Sequence, residues 1–469
     1  MDEADRDDAP PSGGASREAQ RRSLLWRIHF WAALIATPFA LIAAITGIFY
    51  IFTPQIEAGL YRELDVVVPS GEPRALDDAV RAAIRASPDG WSLHSVVPQQ
   101  LRTDSVRLAF MPPPAAKREG ATGAGHQHGA AATAATVEKP AAFLRPSFGL
   151  PAKSLVIYVN PYTAEVLGRL PQAERFNEWA RRLHSRLLQD NLRWMIELAA
   201  SWVMVMLVTG IVLWWPRGLQ PVLPRASASG RVAWKQWHAF IGASIGLISV
   251  VMLTTGLTWS KYAGEQVRRA RDALGQGSPR IPAHFKSTVT AEGSALSWEQ
   301  ALRAIRSEAP DVLMQIMPPK GAEGYWRANQ LDRGQPERRF DLLLDAYTGK
   351  QLYYSGWEEQ TAFGKATAIG IPFHRGEFGW WNQALLLVFG LSVLFSIASG
   401  WVMYFKRRSQ GMRGMPPLAQ GAWTSVSAPA WAGAALMLVC MPLLALSSIA
   451  VASVELFLLL RSRQAHRGS

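Results

Sequence analysis

The chain carries one cysteine, Cys440, in 469 residues. A single thiol can close no intrachain disulfide and build no multi-thiolate metal site. Charge is scarce too: 18% of residues are Asp, Glu, Lys or Arg, against roughly 25% in an average soluble domain. No glycine-rich fingerprint follows a strand-like run, so no flavin or nicotinamide domain is expected within the chain. The net charge of +13 sits on no reading motif. It is assigned to loops and anchoring positions, and nucleic acid is not an expected partner. A cleavable leader is not expected either. The first apolar block exceeds the ~7–15 residues of a signal core, and no small-x-small site follows before Pro54.

Long apolar runs are what the chain has. Residues 28–52, 192–215, 240–259, 384–405 and 429–460 form blocks of the length needed to cross a bilayer, for which about 20 residues suffice. Trp26, Trp31, Tyr50, Trp214, Trp215, Trp237, Trp259, Trp380, Trp381 and Tyr404 stand at their ends, where interfacial rings are favoured. Basic residues fix the expected orientation. Arg17, Arg21, Arg22 and Arg27 precede the first block; Arg217, Arg225, Arg231 and Lys235 lie between the second and third; Lys406, Arg407, Arg408 and Arg413 follow the fourth. These short segments are expected in the cytoplasm and the long segments outside. The fifth block is expected as one kinked or tilted span, although that places Arg461, Arg463 and Arg467 against the rule; a re-entrant hairpin at Pro442 is the alternative.

The organisation that follows is a cytoplasmic N-terminus (1–22), a first span (23–53), an external domain (54–180) with a low-complexity insert (112–142), and a second span (181–216). A cytoplasmic loop (217–236), a third span (237–260), a second external domain (261–372) and a fourth span (373–406) come next. A loop (407–428), a fifth span (429–460) and a tail (461–469) complete it. The fold class is an α-helical membrane bundle with two external α+β domains.

The chain repeats itself. His29 precedes Gly47 by 18 residues, and His238 precedes Gly256 by the same interval. His184 precedes Gly210 by 26 residues, and His374 precedes Gly400 equally. Each glycine follows Thr46, Thr209, Thr255 or Ser399. The external segments echo one another as well: 158–167 and 341–352 each read as strand, turn, strand. Both halves share polarity, giving a parallel repeat. Four core spans then place His29 and His238 near the cytoplasmic face and His184 and His374 near the outer face. Two imidazoles opposed across a bundle can bind one haem iron axially, so two pairs would hold two haems. Duplication would equally copy a structural histidine, and a hydrogen-bonded core residue is the competing role.

A continuous helix from His184 to Gly210 would span about 39 Å, more than the roughly 30 Å core. Either the outer histidines lie at the surface, or the helices break near Asp190-Asn191 and at 376–379. Arg27 and Lys235 at the inner site, and Arg181, Arg182, Arg186 and Arg375 at the outer one, are candidate partners for haem propionates. Glu197 is a candidate ligand-bonding or proton-carrying carboxylate, or an interfacial solvated one. The Thr/Ser-Gly pairs are expected first to allow close helix approach. His94, His284 and His466 lie outside the pattern, and His126 and His128 fall in the insert, where a flexible tract outweighs loose metal binding.

These residues resemble the PepSY-associated transmembrane proteins, also called iron-regulated membrane proteins, across residues 22–408. The resemblance is carried by Trp26-Arg27-Ile28-His29-Phe30-Trp31 with Ile45-Thr46-Gly47-Ile48, and by Leu183-His184 with Val208-Thr209-Gly210-Ile211-Val212-Leu213-Trp214-Trp215-Pro216-Arg217. Trp237-His238-Ala239 and Phe373-His374 with Ser399-Gly400-Trp401 complete it. The 160–165 and 345–349 segments resemble the ends of PepSY domains. The resemblance implies two PepSY-like periplasmic domains and a bacterial inner-membrane ferric-siderophore reductase with two b-type haems. The haem ligands would be His29 with His238 and His184 with His374. Expected partners are membrane lipid, a ferric chelate or siderophore, and a cytoplasmic or quinol electron donor. The insert and the fifth block depart from the family pattern. The alternative is a non-redox PepSY membrane protein acting in periplasmic binding, assembly or regulation. A transporter is disfavoured, because matched breaks at the midplane are lacking.

Overall fold

A computed structural model describes residues 16–114, 149–215, 222–289, 294–409 and 415–467. His126, His128 and most of the 112–142 insert, together with Arg217 and Arg413, lie outside the described residues. In chain order the elements are α1 (Arg17–Ile51), α2 (Thr53–Leu60), α3 (Arg62–Asp65), α4 (Leu76–Ala86), β1 (Ser92–Val97), β2 (Val106–Met111), β3 (Leu155–Val159) and β4 (Val166–Pro171). Then come α5 (Phe176–Arg186), α6 (Arg193–Trp214), α7 (Gly230–Ser244), α8 (Gly246–Thr258), α9 (Ala263–Ala273) and α10 (Trp298–Glu308). Last are β5 (Met314–Met317), β6 (Tyr325–Gln330), β7 (Asp341–Asp345), β8 (Gln351–Ser355), α11 (Ala362–Arg375), α12 (Trp380–Ser409), α13 (Ala428–Cys440) and α14 (Pro442–Arg467). They make two compact units. One comprises Met1–Thr53, Ala180–Gln276 and Ile369–Ser469; the other comprises Pro54–Trp179 and Gly277–Ala368.

The first unit is helical. α1 packs along α6 and α12, α12 along α7, and α6 along α7 and α8, which closes a four-membered ring from both halves of the repeat. Among the described residues, Arg17–Ile51, Phe176–Trp214 and Trp380–Arg407 are long and apolar enough to cross a membrane. The third block is a bent pair: α7 and α8 meet at 58° around Ile245. Gly246, just past the bend, has no side chain where Ile211 approaches.

The helices that carry His184 and His374 end shortly after them, which answers the length problem. After His184 the chain leaves the helix at Leu187 and Leu188, whose φ angles are +51° and +64°. After His374 it turns through Gly376 and Gly379, with φ of +75° and +87°. The second copy thus places glycine where left-handed backbone is cheap, and the first strains two leucines. The breaks are braced reciprocally. Gln383 donates to the Ile51 carbonyl at 2.9 Å, and Arg193 donates to the Trp259 carbonyl, so each copy satisfies a helix-terminal carbonyl of the other.

The fifth block bends far more sharply than a tilted or gently kinked span. α13 and α14 meet at 117°, at Pro442, which lacks the N–H and the ring clearance to continue a helix. Leu444 packs with Ala32, Ala36 and Trp202. Ser447 accepts from Trp202, and Glu455 reaches Arg27 and Trp31. α14 therefore runs antiparallel to α1 from its middle back to its N-terminal end. The segment before α13 lies at that same end, where Gln20 donates to the Gln420 carbonyl and Arg27 to that of Pro416. Both ends of the block thus lie toward the N-terminal end of α1, the geometry of the re-entrant alternative.

The second unit is one antiparallel sheet of eight strands, ordered β4-β3-β2-β1-β5-β6-β7-β8. The two long segments between spans, expected as separate external domains, supply four strands each and join where Val96 pairs with Ile316. Helices α4 and α10 cover one face. Leu76, Ala79, Val80 and Ala83 of α4, and Ala301, Leu302 and Ile305 of α10, recur at helical spacing and pack over Leu108, Ile157, Ile316, Leu342 and Leu344. Truncating a large member such as Leu344 to alanine costs about 2–5 kcal/mol. The helices also cap each other. The Asp77 carboxylate accepts from the Trp298 and Glu299 amides, and that of Glu299 accepts from the Leu76 amide. The matching hairpins are β3–β4 and β7–β8, each with a register shift at the corresponding place.

Candidate functional site

All four repeat histidines lie in the helical unit, and the packing pairs them. The ring centres of His29 and His238 are 6.4 Å apart, with planes at 86°. Those of His184 and His374 are 6.5 Å apart, at 58°. His29 and Thr46 are 17 residues apart on α1, and Thr46 touches His184, so the two pairs are separated by roughly 25 Å along the helix.

What fixes each ring is the Thr/Ser-Gly pair that accompanies the other histidine of the same copy in sequence. Thr209 Oγ1 lies 3.1 Å from His29 Nδ1, and Thr46 Oγ1 lies 3.1 Å from His184 Nδ1. Ser399 Oγ lies 2.8 Å from His238 Nδ1, and Thr255 Oγ1 lies 2.8 Å from His374 Nδ1. Each hydroxyl has its own proton committed. Thr46, Thr209 and Thr255 donate to the carbonyls of Ile42, Val205 and Val251, and Ser399 donates to that of Ser396. The hydroxyl therefore accepts, the imidazole proton stands on Nδ1, and Nε2 keeps its lone pair. The adjoining glycine makes the room. A Cβ at Gly210 would stand 3.1 Å from His29 Cε1, at Gly47 3.3 Å from His184 Cε1, at Gly256 3.5 Å from His374 Cε1, and at Gly400 3.9 Å from His238 Cε1. The Thr/Ser-Gly pair, expected to let helices approach, is a cradle for a histidine ring. Its signal in the sequence was the interval repeated in both copies, although that interval ties each pair to the histidine of its copy that it does not hold.

The cradles act within a copy and the pairs form between copies. α6 holds His29 of α1, and α1 holds His184 of α5. α12 holds His238 of α7, and α8 holds His374 of α11. Each copy thus brings two oriented rings, and only the meeting of the copies opposes them.

This donor set suits an axially ligated metal centre. A metal bound about 2 Å from each imidazole nitrogen puts ring centres roughly 6 Å apart, close to both separations. Cradled Nδ1–H groups are the support that metal-ligating histidines use. Each pair offers two imidazoles to one point, and among the described residues no group of three or more His, Cys, Asp or Glu gathers around a point. Tyr50 stacks on His184, with centres 6.5 Å apart and planes at 9°, and Arg375 lies over Tyr50 at 5.7 Å.

Several polar candidates have other work. Glu197 is neither a ligand partner nor solvated. It is buried, and its carboxylate accepts from the amides of Lys261, Tyr262 and Ala263, capping the start of α9. Arg27 is bound to Glu455, Arg186 to Asp190 and Arg375 to Glu377. His94 and His284 belong to the sheet unit. Burial, helped by Lys320, holds His94 below its ordinary pKa.

These features define a multi-pass membrane protein in which a duplicated helical bundle carries two cross-copy histidine pairs. Residues 26–407 match the family described as the PepSY-associated TM region, and the chain belongs to it. The match covers both copies and stops before α13. Comparison with curated proteins gives no match.

Proposed function

We propose that this protein is a di-haem electron-transfer protein of the bacterial inner membrane, with its N-terminus in the cytoplasm. In this reading it reduces ferric iron in siderophore chelates on the periplasmic side for iron uptake. The observation that carries the reading is the pair of opposed imidazole sets, each ring fixed by a hydroxyl at Nδ1 and cleared by a glycine. His29 and His238 would hold the cytoplasmic-side haem b, and His184 and His374 would hold the periplasmic-side one. When bound, the group would supply one-electron redox chemistry, with the four histidines as its protein ligands. The four hydroxyls keep Nε2 unprotonated and the rings in place, and the apolar helices exclude water. The net reaction moves one electron from a cytoplasmic reductant or quinol to ferric iron, whose chelate then holds the ferrous ion less tightly. The sheet unit is the candidate surface for the chelate.

The test is the reduced-minus-oxidised visible spectrum of the purified full chain, with haem quantified. Two low-spin b-type haems per chain, falling to one in His29→Ala and in His184→Ala, are expected. A haem-free protein from cells amply supplied with haem overturns the proposal and leaves a non-redox binding or assembly role.

A further inference from the structure

We propose that Glu455, on the re-entrant pair beyond the family match, is a positioning residue for the His29–His238 pair: it grips the α1 turn that carries His29 and neutralises the cation beside it. This inference rests on the haem reading above.

The grip is local and nearly complete. Glu455 accepts from Arg27 Nε and Nη2, both at 2.8 Å, and from Trp31 Nε1. Arg27 Nη1 donates to the Pro416 carbonyl at 2.5 Å, so the guanidinium is taken up by the segment that leads into and out of the re-entrant pair. Arg27 and Trp31 are four residues apart and share a face of α1. His29 lies between them in sequence and points to the opposite side, toward Thr209. One helical turn is thus held from both sides, by Glu455 on one face and by the α6 cradle on the other. Among the residues of α14 from Val451 to Arg461 whose burial is described, Val451 and Glu455 are half-buried and the others are exposed. That half is therefore fastened to α1 chiefly through this carboxylate.

The second copy has no such device. The residue at the Arg27 position, two before His238, is Gln236, and it accepts the Arg225 amide at 2.8 Å. The ion pair is therefore a feature of one side of one haem site. Both of its side chains are 14% exposed, where charges are weakly screened. Neutralising Glu455 leaves an uncompensated cation one turn from the site, which favours the added electron. Neutralising Arg27 leaves an anion, which opposes it.

The experiment uses the full chain in a His184→Ala background, which retains the first pair alone. Glu455→Gln, Arg27→Gln and the double variant are compared at pH 8 by haem content and by spectroelectrochemical midpoint. The expected result is a raised midpoint in Glu455→Gln, a lowered one in Arg27→Gln, and a return toward the parent in the double variant. Loss of haem in Glu455→Gln that the double variant restores supports the same role. Shifts of the same sign in both single variants, or none in either, overturn the inference while the haem reading stands. A parent chain without haem removes both.

Discussion

The two copies of the repeat agree where they face each other and differ where each faces its own surroundings. Both bring a histidine at each end of the bundle, a Thr or Ser at Nδ1, a glycine beside Cε1 and a donor for the other copy's helix end. In the sheet both bring a helix whose start is capped by the other's carboxylate. Elsewhere they part. α1 runs unbroken through Pro38, whereas α7 and α8 bend at Ile245. The re-entrant pair leans on α1 and α6, in the first copy. Shared geometry is retained at the pseudo-twofold contacts because a change on one side there disturbs a pair. A change on an outward face disturbs only its own copy.

The largest effect should come from the tightest cradle. Gly210→Ala forces His29 to give way, because its Cβ falls 3.1 Å from Cε1; most haem at that pair should be lost. The matched Gly400→Ala meets His238 at an ordinary 3.9 Å and should keep it. Equal losses in haem stoichiometry would show that the two cradles are equivalent after all.

Next in size is Glu197, which sits at the level where the second copy has Leu387. Glu197→Ala strands three amides at the start of α9 and should cost about 3 kcal/mol or more. The thermal unfolding midpoint of the solubilised protein would fall, and an unchanged midpoint would mean that water replaces the carboxylate.

The hairpin turns supply a pH-dependent contrast. Asp345 accepts from the amides of Tyr347, Thr348 and Thr288, where the first copy has Asn160. Burial alone would raise the Asp345 carboxyl, but those amides outweigh it and hold it below its ordinary value of 3.8. A depressed carboxyl contributes stability that is full above that value and lost as pH falls through the lower folded one. Asp345→Asn should therefore flatten the acid limb of an unfolding-against-pH curve, with little change in its shape near neutrality.

The smallest effect lies in the same turns. Ala164 holds φ +60° where the second copy has Gly349 at +70°. Ala164→Gly should stabilise by about 1 kcal/mol, and Gly349→Ala should cost at least that. Denaturation of the pair of variants in parallel would read it directly.

Much of this was legible beforehand. The apolar blocks, the parallel repeat and the two strand-turn-strand hairpins follow from period, length and spacing, and the breaks after His184 and His374 were one of two alternatives that length left open. The cradles were half legible. The repeated intervals were visible, but they tie each pair to a histidine it does not hold, and a threonine before a glycine in a membrane helix reads first as packing. Glu197 and Glu455 were opaque because their partners lie far along the chain, up to 428 residues in the case of Arg27 and Glu455.

By itself, then, the sequence determined which segments are apolar enough to enter a membrane, their parallel duplication, and the rank of His29, His184, His238 and His374 above the other histidines. Those properties depend on composition and on fixed intervals along one chain. Tertiary structure alone decided that the fifth block turns back, that the external segments share one sheet, and that each histidine is held by its own copy while facing the other. These depend on which distant groups satisfy one another's hydrogen bonds and fill one another's space, and no local pattern in the chain encodes that choice.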